Sequence, residues 1–394
     1  MNLLYTITAY PPSTGGAQLY AHQLARGLAE KHSLQVASLW ETNRTDWLVG
    51  VTLRAAGQPH DYNVDGIPVH CLGFSPIEKL CMAPAVLAYY PIMDVALPYL
   101  AACLRPHLTS LANQASLVHN IRIGREPLSL ASLQIAHRRG IPFFFTPLHH
   151  PRWSGWLYRH YHRIYRQADG VIALTQAEKG ILVSLGVDEK RIYVTGMGPV
   201  LAGQGDGLAF RSKYDLGSDP LVLFLGQKYE YKGIAALLKA AEIVWQRIPE
   251  ARFVFIGPRT DYSRQLFASV AGQRLLELDT VSLQEKTDAL AACSLLCVPS
   301  TQESFGGVYT EAWSLGKPVI GCRIPAVAEL IMDGEDGFLV AQQPAEIADR
   351  ILQLLTDPSL ARALGSAGQR KVQARFTWLR LAALTEQAYL DVLA

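Results

Sequence analysis

Short apolar runs recur along this chain, each ending at a polar or glycine-bearing turn that leads into a helical pattern. Residues 3–8, 34–39, 116–120, 140–146, 169–175, 191–195, 221–225, 252–256 and 294–298 all have strand length and strand-like boundaries. Between several of them lie amphipathic stretches, such as Tyr20, Ala21, Leu24, Ala25 and Leu28, spaced for one buried helix face. Alternating strands and helices with short turns argue for parallel sheets with helices on both faces. The rhythm pauses at Gly196-Met197-Gly198-Pro199, the start of a glycine-rich stretch through Gly207, and then resumes. With 394 residues, 49% of them hydrophobic and 18% charged, the chain can bury two such cores.

In open parallel sheets, ligands bind outside the carboxyl ends of the strands, so the loops there carry the chemistry. The most informative loop follows the run 294–298. It reads Pro299-Ser-Thr-Gln-Glu303-Ser304-Phe305-Gly306-Gly307, then a helical pattern to about Leu315, with Gly316 and Pro318 as stop signals. The first turn of that helix has unpaired backbone N–H groups and the positive dipole end. Gly306 and Gly307 let an anion approach those amides closely. Glu303 precedes the helix, and Glu311 lies eight residues on, about two turns later. Two carboxylates beside an anion-binding helix end suit a ligand with phosphates and many hydroxyls.

This stretch resembles the E-x7-E signature of retaining glycosyltransferases of family 4 (group 1), which have the GT-B fold. The resemblance is dense over about residues 220–340 and thinner before that. It implies two Rossmann-like, doubly wound parallel-sheet α/β domains facing each other across a cleft. Their expected bounds are 1–200 for acceptor binding and 201–376 for the donor, with a terminal helix at 377–394 crossing back to the first. It implies transfer from a nucleotide-diphosphate sugar with retention of configuration and without a metal ion, Glu303 contacting sugar hydroxyls and Glu311 the ribose. No D-x-D pair occurs in the chain. No cofactor beyond the donor substrate is expected.

A second matching piece is Gly226-Gln227-Lys228-Tyr-Glu-Tyr-Lys232-Gly233. Lys232 is expected to neutralise charge on the departing diphosphate. The family places arginine where this chain has Gln227, so either Lys228 substitutes or one positive charge is missing. After the first strand, Gly15-Gly16 reads as a tight turn or, by its place in the family, as a loop facing the diphosphate. Segment 324–340 resembles the family's continuation and is expected to buttress the donor site.

The amino-terminal half is less explicit. His119, Arg122, Arg125, His149 and His150 fall at expected strand ends. Family members place a histidine in each of these two loops near the reacting sugar, which makes His119 a catalytic candidate. Arg122, Arg125, His149, His150, Arg152 and Trp153 are then acceptor-side candidates. Residues 150–166 contain no acid but carry tryptophans, tyrosines and arginines, with Arg159, Arg163 and Arg166 spaced for one helical face. Two readings stay open there: a face for an anionic or lipid-linked acceptor at a membrane surface, or a helix whose arginines cover apolar surface.

Residues 81–104 carry one charge, Asp94, and three prolines that would break a spanning helix, so short apolar helices are expected, with contact at a bilayer surface as an open reading. Net charge of +2 carries no sign of nucleic acid as a partner. It is uneven: residues 1–198 hold 17 Lys and Arg against 12 Asp and Glu. The six cysteines, at 71, 81, 103, 293, 297 and 322, show no metal-ligand spacing and read as buried thiols of a reducing, cytoplasmic compartment. No basic residue precedes the first apolar run, so no signal peptide is expected. Partners are thus a nucleotide-sugar donor and a glycan or lipid-linked acceptor, with peripheral membrane contact at the inner face as an open reading. The competing reading is a non-catalytic nucleotide-sugar or glycan-binding protein of the same fold. A dinucleotide oxidoreductase is disfavoured because no G-x-G-x-x-G follows the first strand.

Overall fold

The computed structural model describes residues 1–13, 15–41, 48–150, 152–268 and 274–394. Thr14 and Pro151, in two of the loops singled out above, and 42–47, in the stretch after the second strand, lie outside the described residues. The chain divides into two compact units. One comprises Met1–Gly196 with Trp378–Ala394, the other Met197–Thr377.

The first unit contains β1 (Asn2–Ala9), β2 (Ser33–Trp40), β3 (His60–Val64), β4 (Ile67–Cys71), β5 (Leu117–Ile121), β6 (Phe143–Thr146), β7 (Gly170–Ala173) and β8 (Ile192–Val194). They form one sheet in the order β3-β4-β2-β1-β5-β6-β7-β8, parallel throughout except for the β3–β4 hairpin. β1 pairs with β2 on one side and β5 on the other, so the strand order reverses there. Every residue of β5, β6 and β7 is buried. Strands buried along their whole length are what a sheet covered by helices on both faces requires.

The expected short apolar helices are present as Pro76–Leu87 and Met93–Ala112, with Pro91 in the connection between them. The first begins with a capping box in which Ser75 and Glu78 satisfy each other's backbone groups. The prolines do less than anticipated. Pro84 lies inside the first helix, and Pro98 and Pro106 lie inside the second, which runs 20 residues unbroken. Pro84 and Pro98 sit on the exposed faces, where water can take the carbonyls they leave unpaired. No described helix is long and apolar enough to cross a membrane. The carboxyl-terminal helix Trp378–Leu393 packs against the Gly16–Ala29 helix, and its Tyr389 is fully buried.

The second unit contains β9 (Leu221–Leu225), β10 (Arg252–Ile256), β11 (Leu275–Leu278), β12 (Leu295–Val298), β13 (Val319–Cys322) and β14 (Phe338–Val340). Their order is β11-β10-β9-β12-β13-β14, all parallel. Here the order reverses between β9 and β12. Each unit is therefore a doubly wound parallel α/β sheet, the arrangement of a GT-B protein. All six cysteines are free thiols. Four are buried, but Cys81 is exposed and Cys103 only half-buried, which corrects the expectation for those two.

Candidate active site

The reversal between β9 and β12 brings two loops together. The loop after β9 carries Gly226 to Gly233, and the loop after β12 carries Pro299 to Gly306. They are stitched by backbone: the Thr301 amide donates to Tyr231 O at 2.9 Å. Gln342 Nε2 donates to Tyr231 O at 3.1 Å and to Pro299 O at 2.7 Å. Gly233 is required there. Its φ is +79°, and a Cβ would come within 2.5 Å of the Pro299 carbonyl.

Across this junction Lys232 Nζ donates to Glu303 Oε1 at 2.6 Å. Both side chains retain partial exposure, at 15% and 12%. Gly306 follows with φ +90°, and the helix Gly307–Ser314 begins directly after it. That start matches the expected one. Phe305 is buried edge-on against Phe376, ring centroids 5.5 Å apart, and anchors the loop from below. Tyr309 donates its hydroxyl to Val298 O at 2.7 Å, which ties the helix to the strand. Ser304 is half-buried between Glu303 and Phe305. Segment 324–340 is tied to this helix: Trp313 Nε1 donates to Asp336 O at 2.8 Å, and Asp336 is held by Lys371.

Glu311 projects from the second turn of that helix and is buried. Its Oε1 accepts from Lys286 Nζ at 2.7 Å, while Oε2 has no hydrogen-bond partner among the described residues. Burial raises its pKa, and Lys286 pulls it back. Lys286 also donates to Val200 O at 2.7 Å. Sequence reasoning missed Lys286. It sits in the helix Leu283–Ala292, where a lysine looks like any solvated charge.

The charge at Lys228 is committed elsewhere. The residue is fully buried, and its ammonium contacts Glu277 and donates to Leu278 O at 2.5 Å. Burial lowers its pKa. Glu277 is shared with Arg259, whose Nε donates to Oε2 at 2.7 Å. Burial of Glu277 opposes ionisation, but Arg259 and Lys228 together hold its pKa below the usual range. Lys228 thus serves the β10–β11 edge of the sheet, and Gln227 beside it is exposed. Gly226 opens this loop with its amide donating to Ile256 O at 3.0 Å.

The strand ends of the first unit look different. His119 lies inside β5, fully buried. Its Nδ1 is 2.5 Å from the Tyr389 hydroxyl, and its Nε2 is 2.7 Å from Thr146 Oγ1. Burial lowers its pKa to about 3. Both ring nitrogens are occupied within the core, which corrects the expectation that His119 meets a sugar. Arg122 is buried, with its guanidinium 3.8 Å from the ring centres of both Trp153 and Tyr161, and it donates to the Tyr165 hydroxyl at 2.9 Å. Arg125 Nη2 donates to Leu157 O at 3.1 Å, and its Nε lies 3.3 Å from buried Glu126. His149 is buried beside Tyr165, its pKa lowered to about 3 by burial, Arg122 and neighbouring histidines. Its backbone amide donates to Glu178 at 2.6 Å. His150 packs near Trp153, whereas Arg152 is exposed. Arg122, His149, His150 and Trp153 therefore gather into one aromatic cluster, and His119 stands apart.

Gly15 caps the Gly16–Ala29 helix, with open space around Gly16. Among the described residues, no group of three or more His, Cys, Asp or Glu could hold a metal ion.

Comparison with known proteins places the chain in a family. The family described as Glycosyl transferases group 1 matches residues 219–357, and the Glycosyl transferase 4-like domain matches residues 15–198. A D-inositol 3-phosphate glycosyltransferase of Pseudarthrobacter chlorophenolicus is 32% identical over 240 residues, 58% of this chain and 57% of that protein. The match thus spans little more than half of the relative's length. Among solved structures, Anabaena HepE in complex with UDP-glucose superposes with a TM-score of 0.76 at 18% identity, covering 98% of this chain and 99% of that one. Sucrose-phosphate synthase of Thermosynechococcus elongatus gives 0.75 at 20% identity, covering 100% and 99%.

Proposed function

Because the chain belongs to the group 1, family 4 glycosyltransferases, we propose that it moves a sugar from a nucleoside-diphosphate sugar to a hydroxyl acceptor, with retention and without a metal ion. The observation that carries this is the 2.6 Å contact between Lys232 and Glu303, made across the strand-order reversal and directly before the helix that begins at Gly307. In this reading the diphosphate enters between Lys232 Nζ and the amides of Gly306 and Gly307, with the Gly226 loop alongside. As the bond from sugar C1 to the diphosphate oxygen breaks, charge builds on that oxygen, and lysine and amides stabilise it. The acceptor oxygen bonds to C1 on the face the diphosphate leaves, and its proton passes to the departing phosphate. Glu303, displaced from Lys232 by the phosphates, accepts from sugar hydroxyls. Glu311 Oε2, which has no partner among the described residues, accepts from the ribose. UDP is the first nucleotide to try, since the Anabaena neighbour was solved with UDP-glucose.

The acceptor is proposed to be a glycan or a lipid-linked molecule, recognised by Arg152 and the aromatic cluster of the first unit, with the chain working in the cytoplasm at the inner face of a membrane. A second reading, a non-catalytic binding protein, draws support from Gln227 and from the commitment of Lys228 to Glu277. Incubation with a panel of nucleotide sugars distinguishes the two. The transferase reading expects slow release of free sugar and nucleoside diphosphate, with the α- or β-configuration of the donor kept in the first product seen by NMR. Tight nucleotide binding with no release from any donor would establish the second reading instead.

A further inference from the structure

Soluble proteins keep large exposed apolar side chains scattered, and contiguous patches mark interaction sites. In this chain the outer surface of residues 76–102 is apolar almost without interruption: of its thirteen exposed positions, only Asp94 is charged. Ile77 and Leu80 are each 74% exposed, and Leu87 81%. With Cys81 and Pro84, they line one side of the Pro76–Leu87 helix, so that helix turns an apolar face both inward and outward. The connection adds Tyr90 and Ile92, and the next helix adds Val95 at 70%. The two helices are tied where the Tyr99 hydroxyl donates to Cys81 O at 3.0 Å.

A basic, aromatic edge adjoins this patch. Arg125 links them, its guanidinium 5.3 Å from the Tyr90 ring while Nη2 donates to Leu157 O. Trp156 and Leu157 are exposed, and Arg159 lies 3.7 Å over the Trp156 ring. Arg159 and Arg163 converge on Asp94, at 2.6 and 3.6 Å. Arg166 turns aside to Leu185 O, so only two of the three arginines face this edge. Asp94 is the single acid that Arg159 and Arg163 meet, which leaves this edge positively charged.

We propose that this surface docks the chain on an anionic lipid bilayer. The apolar side chains of the Pro76–Leu87 helix and the Tyr90–Val95 connection enter the acyl boundary. Trp156, Tyr90 and Tyr99 sit at headgroup depth, and Arg159 and Arg163 meet lipid phosphates. Apolar residues, interfacial aromatics and arginines in one contiguous surface make up the physical requirements for reversible interfacial binding. The charge favours this occupant over a second copy of the chain, whose own patch would bring the same positive edge against this one. The inference does not rest on the transferase reading, because binding is read without turnover.

The test is flotation of the full chain with phosphatidylglycerol–phosphatidylcholine vesicles and with phosphatidylcholine alone. Binding is expected to the anionic vesicles, weakened by salt. Ile77→Ser/Leu80→Ser/Leu87→Ser should weaken it at least ~10-fold, and Arg159→Glu/Arg163→Glu should abolish the preference for anionic lipid. The serine variant should melt no lower than the parent, because the lost side chains are exposed, and should hydrolyse donor equally well. Two results overturn the proposal. One is no flotation of the parent chain with anionic vesicles. The other is self-association in sedimentation that disappears in the serine variant, which would assign the patch to a second copy.

Discussion

The two units share a doubly wound topology but treat their strand ends in opposite ways. After β9 and β12, opposite charges pair with each other: Lys232 with Glu303, and Lys286 with Glu311. After β5 and β6, polar groups are taken into the core. Arg122 is clamped between aromatic rings, and His119 and His149 are held neutral by burial. The cause is local sequence. In the second unit, glycines at 226, 233 and 306 leave backbone and charge open at the sheet's edge. In the first, the acid-free run 150–166 supplies Trp153, Tyr161 and Tyr165, and Tyr389 of the terminal helix closes over His119. The same topology thus yields one edge suited to holding a charged ligand and another in which polar residues set loop shape.

That contrast can be broken by mutation. The largest effect should come from Lys232→Ala, expected to lower turnover by ~100- to 1,000-fold, the range for losing one transition-state donor, with little change in melting temperature. A loss of stability instead of turnover would make Lys232 a structural residue. Next comes Arg122→Ala, which removes a cation stacked on two rings and should cost about 2 kcal/mol of first-unit stability. Donor KM should be unchanged, as steady-state kinetics and denaturant melts can check.

Lys286→Met should raise donor KM ~10-fold, equivalent to one charge-assisted contact, with a smaller change in kcat. The sign of its pH dependence follows from burial. Glu311 already has a raised pKa, and without Lys286 it rises further, so donor affinity should fail at higher pH as acid is added. Lys286→Arg should restore much of the affinity. An unshifted acid limb in Lys286→Met would show that Lys286 does not act through Glu311.

A further expected effect changes a pH slope. Glu178 is buried, and its pKa is pushed to about 7 from an ordinary 4.5, although the amides of Leu174 and His149 and the charge of Arg122 pull the other way. The unfolded chain therefore loses this proton first. The first unit should lose stability as pH rises from about 4.5 to about 7, with no further loss from this group above that. His119 and His149 act in the opposite sense: their folded pKa values near 3 remove stability as pH falls below about 6.5. Glu178→Gln should flatten the first trend and leave the second, as hydrogen exchange in β6 and β7 would show.

Much of this was legible in the sequence. Most strand positions and the helix start at Gly307 follow from strand length and glycine placement, whereas β11 was not read, and joining the two second-unit loops in one donor site rested on the family resemblance. What escaped depends on distant partners. The burial of His119 requires Tyr389, 270 residues away in sequence. Lys228 reads as an open charge until Glu277, in a strand about fifty residues on, is placed beside it. Lys286 has no local signature, because only the fold brings it to Glu311. The exposed apolar face of Pro76–Leu87 was hidden for another reason: a helix that is apolar on most sides does not reveal which side faces out.

The central claim is that the donor's diphosphate lies at the reversal between β9 and β12. A crystal structure with UDP bound tests it most directly. The account expects phosphate oxygens within hydrogen-bond distance of Lys232 Nζ and of the Gly306 and Gly307 amides, the Lys232–Glu303 contact opened, and the ribose at Glu311. A diphosphate bound elsewhere, with Lys232 still closed on Glu303, would contradict it.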